Sequence, residues 1–132
     1  IFLARNGWRM TAAAIELEKV TKEIRLLKGI PESDKEQDEL LALIVKDSFE
    51  RIIAFVNRFS DFPLAELPDS VSYILRDVAV SRFNRLNSEG ATADSEEGRS
   101  FTWEDSYLTD DNKAILESLA VKNRARGIAR FI

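Results

Sequence analysis

The sequence contains neither cysteine nor histidine. Those absences exclude disulfides, Cys/His zinc sites, the usual haem ligands, thiol nucleophiles and Ser-His machinery built within this chain. They leave the redox compartment open. Glycine is scarce as well. The chain has five, none in a G-x-G or P-loop spacing, so no Gly-rich phosphate cradle is present. Long apolar runs are missing too: charge interrupts each one before the roughly 18 residues that a bilayer span needs, and no membrane partner is expected. The opening Ile1-Phe2-Leu3-Ala4-Arg5 is too short and wrongly ordered for a secretory signal. Residues 1–10, up to Met10, are set apart as an N-terminal extension of undetermined origin.

What is present suits one soluble domain. Of 132 residues, 45% are apolar and 32% charged, enough for a core without a covalent staple. Nineteen Lys and Arg against 23 Asp and Glu leave −4, too mild to imply a nucleic-acid coat. The charge is unevenly spread, however. Residues 87–111 hold eight acids and one base, Arg99, whereas residues 122–132 hold Lys122, Arg124, Arg126 and Arg130 with no acid.

Helical spacing dominates the first two-thirds of the chain. Leu17, Val20, Ile24 and Leu27 form one apolar stripe over 11–28, which Gly29 and Pro31 end. Ser33-Asp34-Lys35-Glu36 reads as a capping box opening a second helix from about 34 to 59. Its apolar residues, from Leu40, Leu41, Leu43 and Ile44 to Phe59, cover more than one stripe, so it is predicted to be central. Pro68 suits the start of a third helix, with Val71, Ile74, Leu75, Val78, Ala79, Phe83 and Leu86 as its apolar face. A fourth, from Asp110 to about Val121, buries Ala114, Ile115, Leu116 and Leu119. Between helices three and four, the alternation in Ser100-Phe101-Thr102-Trp103 suggests a short β-hairpin or extended excursion. The expected fold is mainly α: a small bundle of about four helices over 11–121, followed by a basic C-terminal tail over 122–132.

Only carboxylate chemistry remains easily open to a chain without His or Cys. Glu96-Glu97, Glu104-Asp105 and Asp110-Asp111 are the candidate Mg²⁺ ligands or acid/base pairs, against the plainer reading of a solvated acidic loop. Arg82 and Arg85, with Arg76 upstream, form a candidate phosphate-contacting face; the competing reading pairs them with acids on neighbouring helices or neighbouring subunits. Phe101 and Trp103 serve either as a stacking pair or as a lid on the core. The basic tail ends apolar, in Phe131-Ile132, and is either disordered or docks onto an acidic, grooved partner.

One string of residues carries a resemblance. Phe83-Asn84-Arg85-Leu86-Asn87-Ser88-Glu89-Gly90, Ser95-Glu96-Glu97-Gly98, Ser100 and Thr102-Trp103-Glu104-Asp105 resemble the tailed-bacteriophage head–tail connector (adaptor, DNA-packaging) family. That family shows a helix ending in aromatic-Asn-Arg, a Glu-Gly turn, a Ser-Glu-x-Gly element and an aromatic-Glu-Asp. The acid- and Leu-rich Asp38-Glu39-Leu40-Leu41 and the Pro-started third helix agree, so the likeness spans 34–105. Asn87 stands where the family often has Gly, a change compatible with a left-handed turn. The N-terminal helix and the basic tail are longer than in the shortest members.

The resemblance implies a structural virion protein with no catalytic residue, cofactor or metal. It implies a homo-oligomeric ring, commonly a dodecamer, in the neck beneath the portal protein. DNA passes through the lumen without sequence-specific binding, a tail-completion or stopper protein attaches below, and assembly takes place in the host cytoplasm. On this basis Lys122, Arg124, Arg126, Arg130, Phe131 and Ile132 are the expected portal-binding residues. Glu96, Glu97, Phe101, Trp103, Glu104 and Asp105 are expected to face the lumen or a neighbouring subunit, where acids would repel phosphate and let DNA slide. The alternatives are a small helical DNA-binding module using Arg76, Arg82 and Arg85, and a metal-dependent enzyme using the acidic segment.

Overall fold

Three long helices pack around one apolar core. The computed structural model describes residues 11–87 and 102–122. Helix α1 spans Ala12–Leu27, α2 Asp38–Asn57 and α3 Ser72–Asn87, the last entered through a 3-10 turn at Asp69–Val71. Two short helices follow, α4 at Trp103–Tyr107 and α5 at Asp110–Glu117. No strand occurs among the described residues; one isolated antiparallel bridge joins Phe62 to Val121.

Each helix starts and stops for local reasons. The Thr11 hydroxyl accepts from the Ala14 amide at 2.9 Å and opens α1. At its other end Ile30 donates to the Arg25 carbonyl and Gly29 to that of Leu26, a Schellman closure with Gly29 at φ +69°. The predicted capping box is not formed. Asp34, not Ser33, takes a backbone amide, that of Glu36 at 3.0 Å, and α2 begins only at Asp38, without a side-chain cap. Arg25 is the reason. Its guanidinium donates to the Pro31 and Asp34 carbonyls at 2.7 and 2.8 Å and pairs with Asp38, so this loop is tied to α1.

Helix α2 is central, as its wide apolar surface predicts. It buries Leu41, Ile44, Val45, Phe49, Ile52, Phe55 and Val56 and is contacted by α1, α3 and α5. Val20 and Ile24 face it from α1, Ile74, Leu75, Val78, Ala79 and Phe83 from α3, and Leu108 and Leu116 from the C-terminal part. Asn57 grips the following loop, accepting from the Leu64 amide at 2.8 Å and donating to the Leu64 carbonyl at 3.2 Å.

Some expected core positions are not buried. Leu43, Leu27 and Leu86 are exposed, and so is Ala114 on α5, where Leu116 alone is fully enclosed. Each helix drives a narrower stripe inward than its count of apolar residues suggests. Asn87 ends α3 without adopting a positive φ. The alternation at Thr102-Trp103 also has a different outcome. Thr102 accepts from the Asp105 amide at 3.0 Å and caps α4, so these two residues start a helix rather than continue a strand. The rest of the predicted excursion, 88–101, lies outside the described residues.

Candidate functional site

Charged and aromatic side chains from α2, α3 and α4 converge on one cluster. Arg82 on α3 donates to the Asp47 carboxylate at 2.8 Å and to the Ser48 hydroxyl at 2.9 Å, reaching both residues on α2. Arg51, one turn beyond Asp47, donates to the same carboxylate at 2.9 Å. Both guanidinium groups then lie beside the Trp103 ring, at 5.8 Å for Arg51 and 5.9 Å for Arg82, and Arg82 also approaches Tyr107 at 5.8 Å. These distances sit at the outer range of cation–π attraction. Ser48 is fully buried, so its hydroxyl finds in Arg82 the partner that burial demands.

The electrostatics of Asp47 and Asp105 run against acid/base work. Partial burial pushes Asp47 upward, but the hydrogen bonds and charges of Arg51 and Arg82 outweigh it and hold the group below the usual value of 3.8. Asp105 is likewise lowered, first by its hydrogen bond from Lys113 and then by Thr102. Lys113 is raised by the same contact with Asp105, 2.9 Å away. A general acid needs a carboxyl raised toward neutrality, and these two are held ionised. Asp110 and Asp111 occupy the first turn of α5. Among the described residues no group of three or more carboxylates is arranged to hold a metal ion.

The arginine face predicted on α3 is divided by its partners. Arg76 turns to Glu23 on α1 at 3.1 Å and Arg82 to Asp47 on α2, while Arg85 is exposed on the last turn. Two of the three guanidinium groups therefore tie helices together.

Of the residues expected at the lumen or a neighbour, Trp103 packs against the bundle, and Glu104 and Asp105 occupy the first turn of α4. Glu96, Glu97 and Phe101 lie outside the described residues. Of the tail, Lys122 is described: its ammonium donates to the Phe59 carbonyl. Just before it, the Val121 amide donates to the Ser60 hydroxyl at 2.7 Å and the Asp61 amide to the Val121 carbonyl at 2.6 Å. The α2–α3 loop thus holds Val121 and Lys122, where the basic segment begins. Arg124, Arg126, Arg130, Phe131 and Ile132 lie outside the described residues.

The exposed large apolar side chains separate by end of the bundle. Leu26, Leu27 and Leu43 are 82%, 67% and 62% exposed, and with Leu86 they lie in the half of the bundle where α1 and α3 end. Phe62, Tyr73, Val121 and Ile15 lie in the other half, where Phe62 bridges to Val121. Thr21, Lys22, Leu26, Ile30 and Ala42 line an open groove between α1 and α2. Sequence periodicity missed these surfaces because it assigned Leu27, Leu43 and Leu86 to the core. No helix among the described residues is long and apolar enough to cross a membrane.

Compared with curated proteins and with solved structures, the chain shows no match. The family comparison is positive: the model described as phage gp6-like head-tail connector protein matches residues 19–119, from the middle of α1 through the last turn of α5. That match covers the second half of α1, all of α2 and α3, the acidic segment and the Trp103 cluster, and the chain belongs to the phage gp6-like head–tail connector family.

Proposed function

We propose that this chain is the adaptor subunit of a phage neck, forming a ring beneath the portal through which DNA passes and to which tail-completion proteins attach. The family match over 19–119 carries the reading, and it is a match to a structural protein, not an enzyme. Exposed large apolar side chains in both halves of the bundle fit it, because a connector must be held from more than one side. A ring needs a heterologous contact that closes, and commonly twelve copies do so in this family. The acids of α4 and α5 and of the segment before them would repel phosphate and favour passage over adhesion.

On this reading the basic segment 122–132 docks on the portal. Its origin is fixed by Val121 and Lys122, and its four cations and apolar end suit an acidic groove. The test is co-expression of the full chain with the portal protein of its phage, compared with a chain ending after Val121. The full chain is expected to co-sediment with portal rings and the shortened one to remain free while folding normally. Equal docking by both would remove the role given to the tail. Failure of the full chain to join any portal or oligomeric assembly would remove the adaptor reading itself.

A further inference from the structure

We infer that two outward ridges of the bundle, a basic one on α1 and an acidic one on α3, are the two halves of the contact between neighbouring copies of this chain. Lys19, Lys22 and Leu26 of one copy meet Asp69, Tyr73 and Asp77 of the next. The inference rests on the ring proposed above and names the faces that close it.

Helical spacing builds both ridges. On α1, Ile15, Lys19, Lys22 and Leu26 follow one another at steps of four, three and four residues, so they stand in one line. That line lies opposite Val20 and Ile24, the buried side of the helix, and all four side chains are exposed. The same spacing recurs on α3 in Tyr73, Asp77, Val80 and Asn84, with Asp69 one turn before Tyr73. Asp69, Tyr73 and Asp77 are exposed, and Val80 is partly buried.

The charges on these ridges are unspent. Among the described residues, Lys19, Lys22, Asp69 and Asp77 make no side-chain hydrogen bond or ion pair. Their charged neighbours are committed elsewhere: Glu23 holds Arg76, and Arg25 holds Asp38. Glu18 stands seven residues before Arg25, on the side that turns to α2, and so off the ridge. Each ridge therefore sets charges of one sign beside a large exposed apolar side chain. Two copies of the same ridge repel, whereas the two different ridges attract, which favours a heterologous contact over a two-fold one.

Register supplies the second argument. Arg76 donates to Glu23 and Lys28 to Asn84, pairs 53 and 56 positions apart, so α1 and α3 run the same way with that offset between residues at one height. At this offset Lys22 is level with Asp77, Lys19 with Tyr73 and Leu26 with Val80. A rotation about an axis along the bundle brings α1 of one copy beside α3 of the next, keeps the helices parallel and leaves every height unchanged. Lys22 then faces Asp77, Lys19 stands over Tyr73 between the two aspartates, and Leu26 meets Val80. The register at which opposite charges meet is thus the one that a closed ring requires, since a step with a rise builds a filament instead. Lys22 and Leu26 also border the open groove between α1 and α2, so the neighbouring ridge has a furrow to enter.

Charge reversal on the full chain tests the contact. Sedimentation velocity reads it, for the free protein at high concentration and for the protein co-expressed with the portal protein of its phage. Lys19→Glu with Lys22→Glu is expected to lower the fraction of chains in multimers at least tenfold, and Asp69→Lys with Asp77→Lys to do the same. All four changes in one chain are expected to restore assembly, because each reversed ridge then meets a reversed partner, and that rescue separates a lost contact from a lost fold. The absence of cysteine allows a second measurement. Chains carrying Lys22→Cys and chains carrying Asp77→Cys, mixed and treated with a short bismaleimide, are expected to join at least tenfold more than chains of either kind alone. Wild-type multimers that both reversals leave intact, or equal cross-linking in mixed and unmixed samples, would overturn the pairing of these ridges and leave the ring reading standing. A wild type without multimers, alone or on the portal, would overturn both.

Discussion

The Arg82 guanidinium lies 2.8 Å from the Asp47 carboxylate, joining α3 to α2 across 35 positions of sequence. Asp47 receives Arg51 as well, so one carboxylate orders two cations and thereby the surface on which Trp103 rests. The side chain of Arg82 is 20% exposed, which puts the pair between a surface bridge and a buried one. Removing one partner leaves the other poorly solvated, and that asymmetry makes the cluster sensitive to single substitutions.

A first prediction follows for nucleic acid. With Arg76 and Arg82 committed to Glu23 and Asp47, no row of unopposed cations runs along α3. Fluorescence anisotropy with labelled duplex at low salt is expected to show no saturable binding that Arg82→Ala and Arg85→Ala together remove. Salt-sensitive binding abolished by those two changes would restore the DNA-binding alternative.

Acidification gives a second prediction with a definite sign. Asp47 is lowered from 3.8, so its contribution is present above that unfolded value and is lost as pH falls through the lower folded value. Urea midpoints of the wild type and Asp47→Asn are expected to differ by a constant amount from neutrality to about pH 5. Below 3.8 the gap is expected to shrink. The same gap at every pH would show that the carboxylate charge does not matter. Partial exposure of the group makes salt reduce the effect.

How far the sequence disclosed this arrangement depended on the range of each signal. The stripes of α1 and α3 and the breadth of α2 were legible because periodicity is local and repeated. The start of α2 was not. Ser33 and Glu36 have the capping spacing, but Arg25, on the preceding helix, draws the loop into another path. At Thr102-Trp103 the alternation suggested extension, whereas Thr102 accepts from the Asp105 amide and starts α4, a contact that period-2 spacing does not report. Pairing of Arg82 with an acid on a neighbouring helix was an open reading, but which acid was not legible, because nothing in a single chain reveals that Asp47 lies opposite. The family likeness over 34–105 depended on an ordered string of turns, and the family match extends it to 19–119.

Gly29 offers a third prediction, of backbone origin. Its φ of +69° is the left-handed conformation of a Schellman closure, and a Cβ there would meet no atom within 4 Å. Gly29→Ala is therefore expected to cost about 1–2 kcal/mol from backbone strain alone. Gly29→Asn, which tolerates this region better, is expected to cost less than Ala. Chemical denaturation of the two variants checks the order. Equal stability of Gly29→Ala and wild type would show that the loop relaxes out of the left-handed turn.

The last prediction concerns how α5 holds Val121, next to the start of the basic segment. Leu116 is 0% exposed and is the only fully enclosed side chain of α5, so it fastens that helix to α2. Leu116→Ala should leave a cavity in the core and cost about 2–5 kcal/mol. For a domain of this length, each kcal/mol lowers the melting temperature by roughly 4 °C. Ala114→Ser, at an exposed position one turn away from Ser118, is expected to change stability by less than about 0.5 kcal/mol. The two substitutions separate packing from helix propensity, because both alter α5 and only one removes buried volume. Exchange of the Val121 amide, which donates to Ser60, reports this position directly. Faster exchange there in Leu116→Ala, but not in Ala114→Ser, is expected if the packing of α5 holds Val121 in place. Unchanged exchange in both would mean that Ser60 and Asp61 hold Val121 without help from α5.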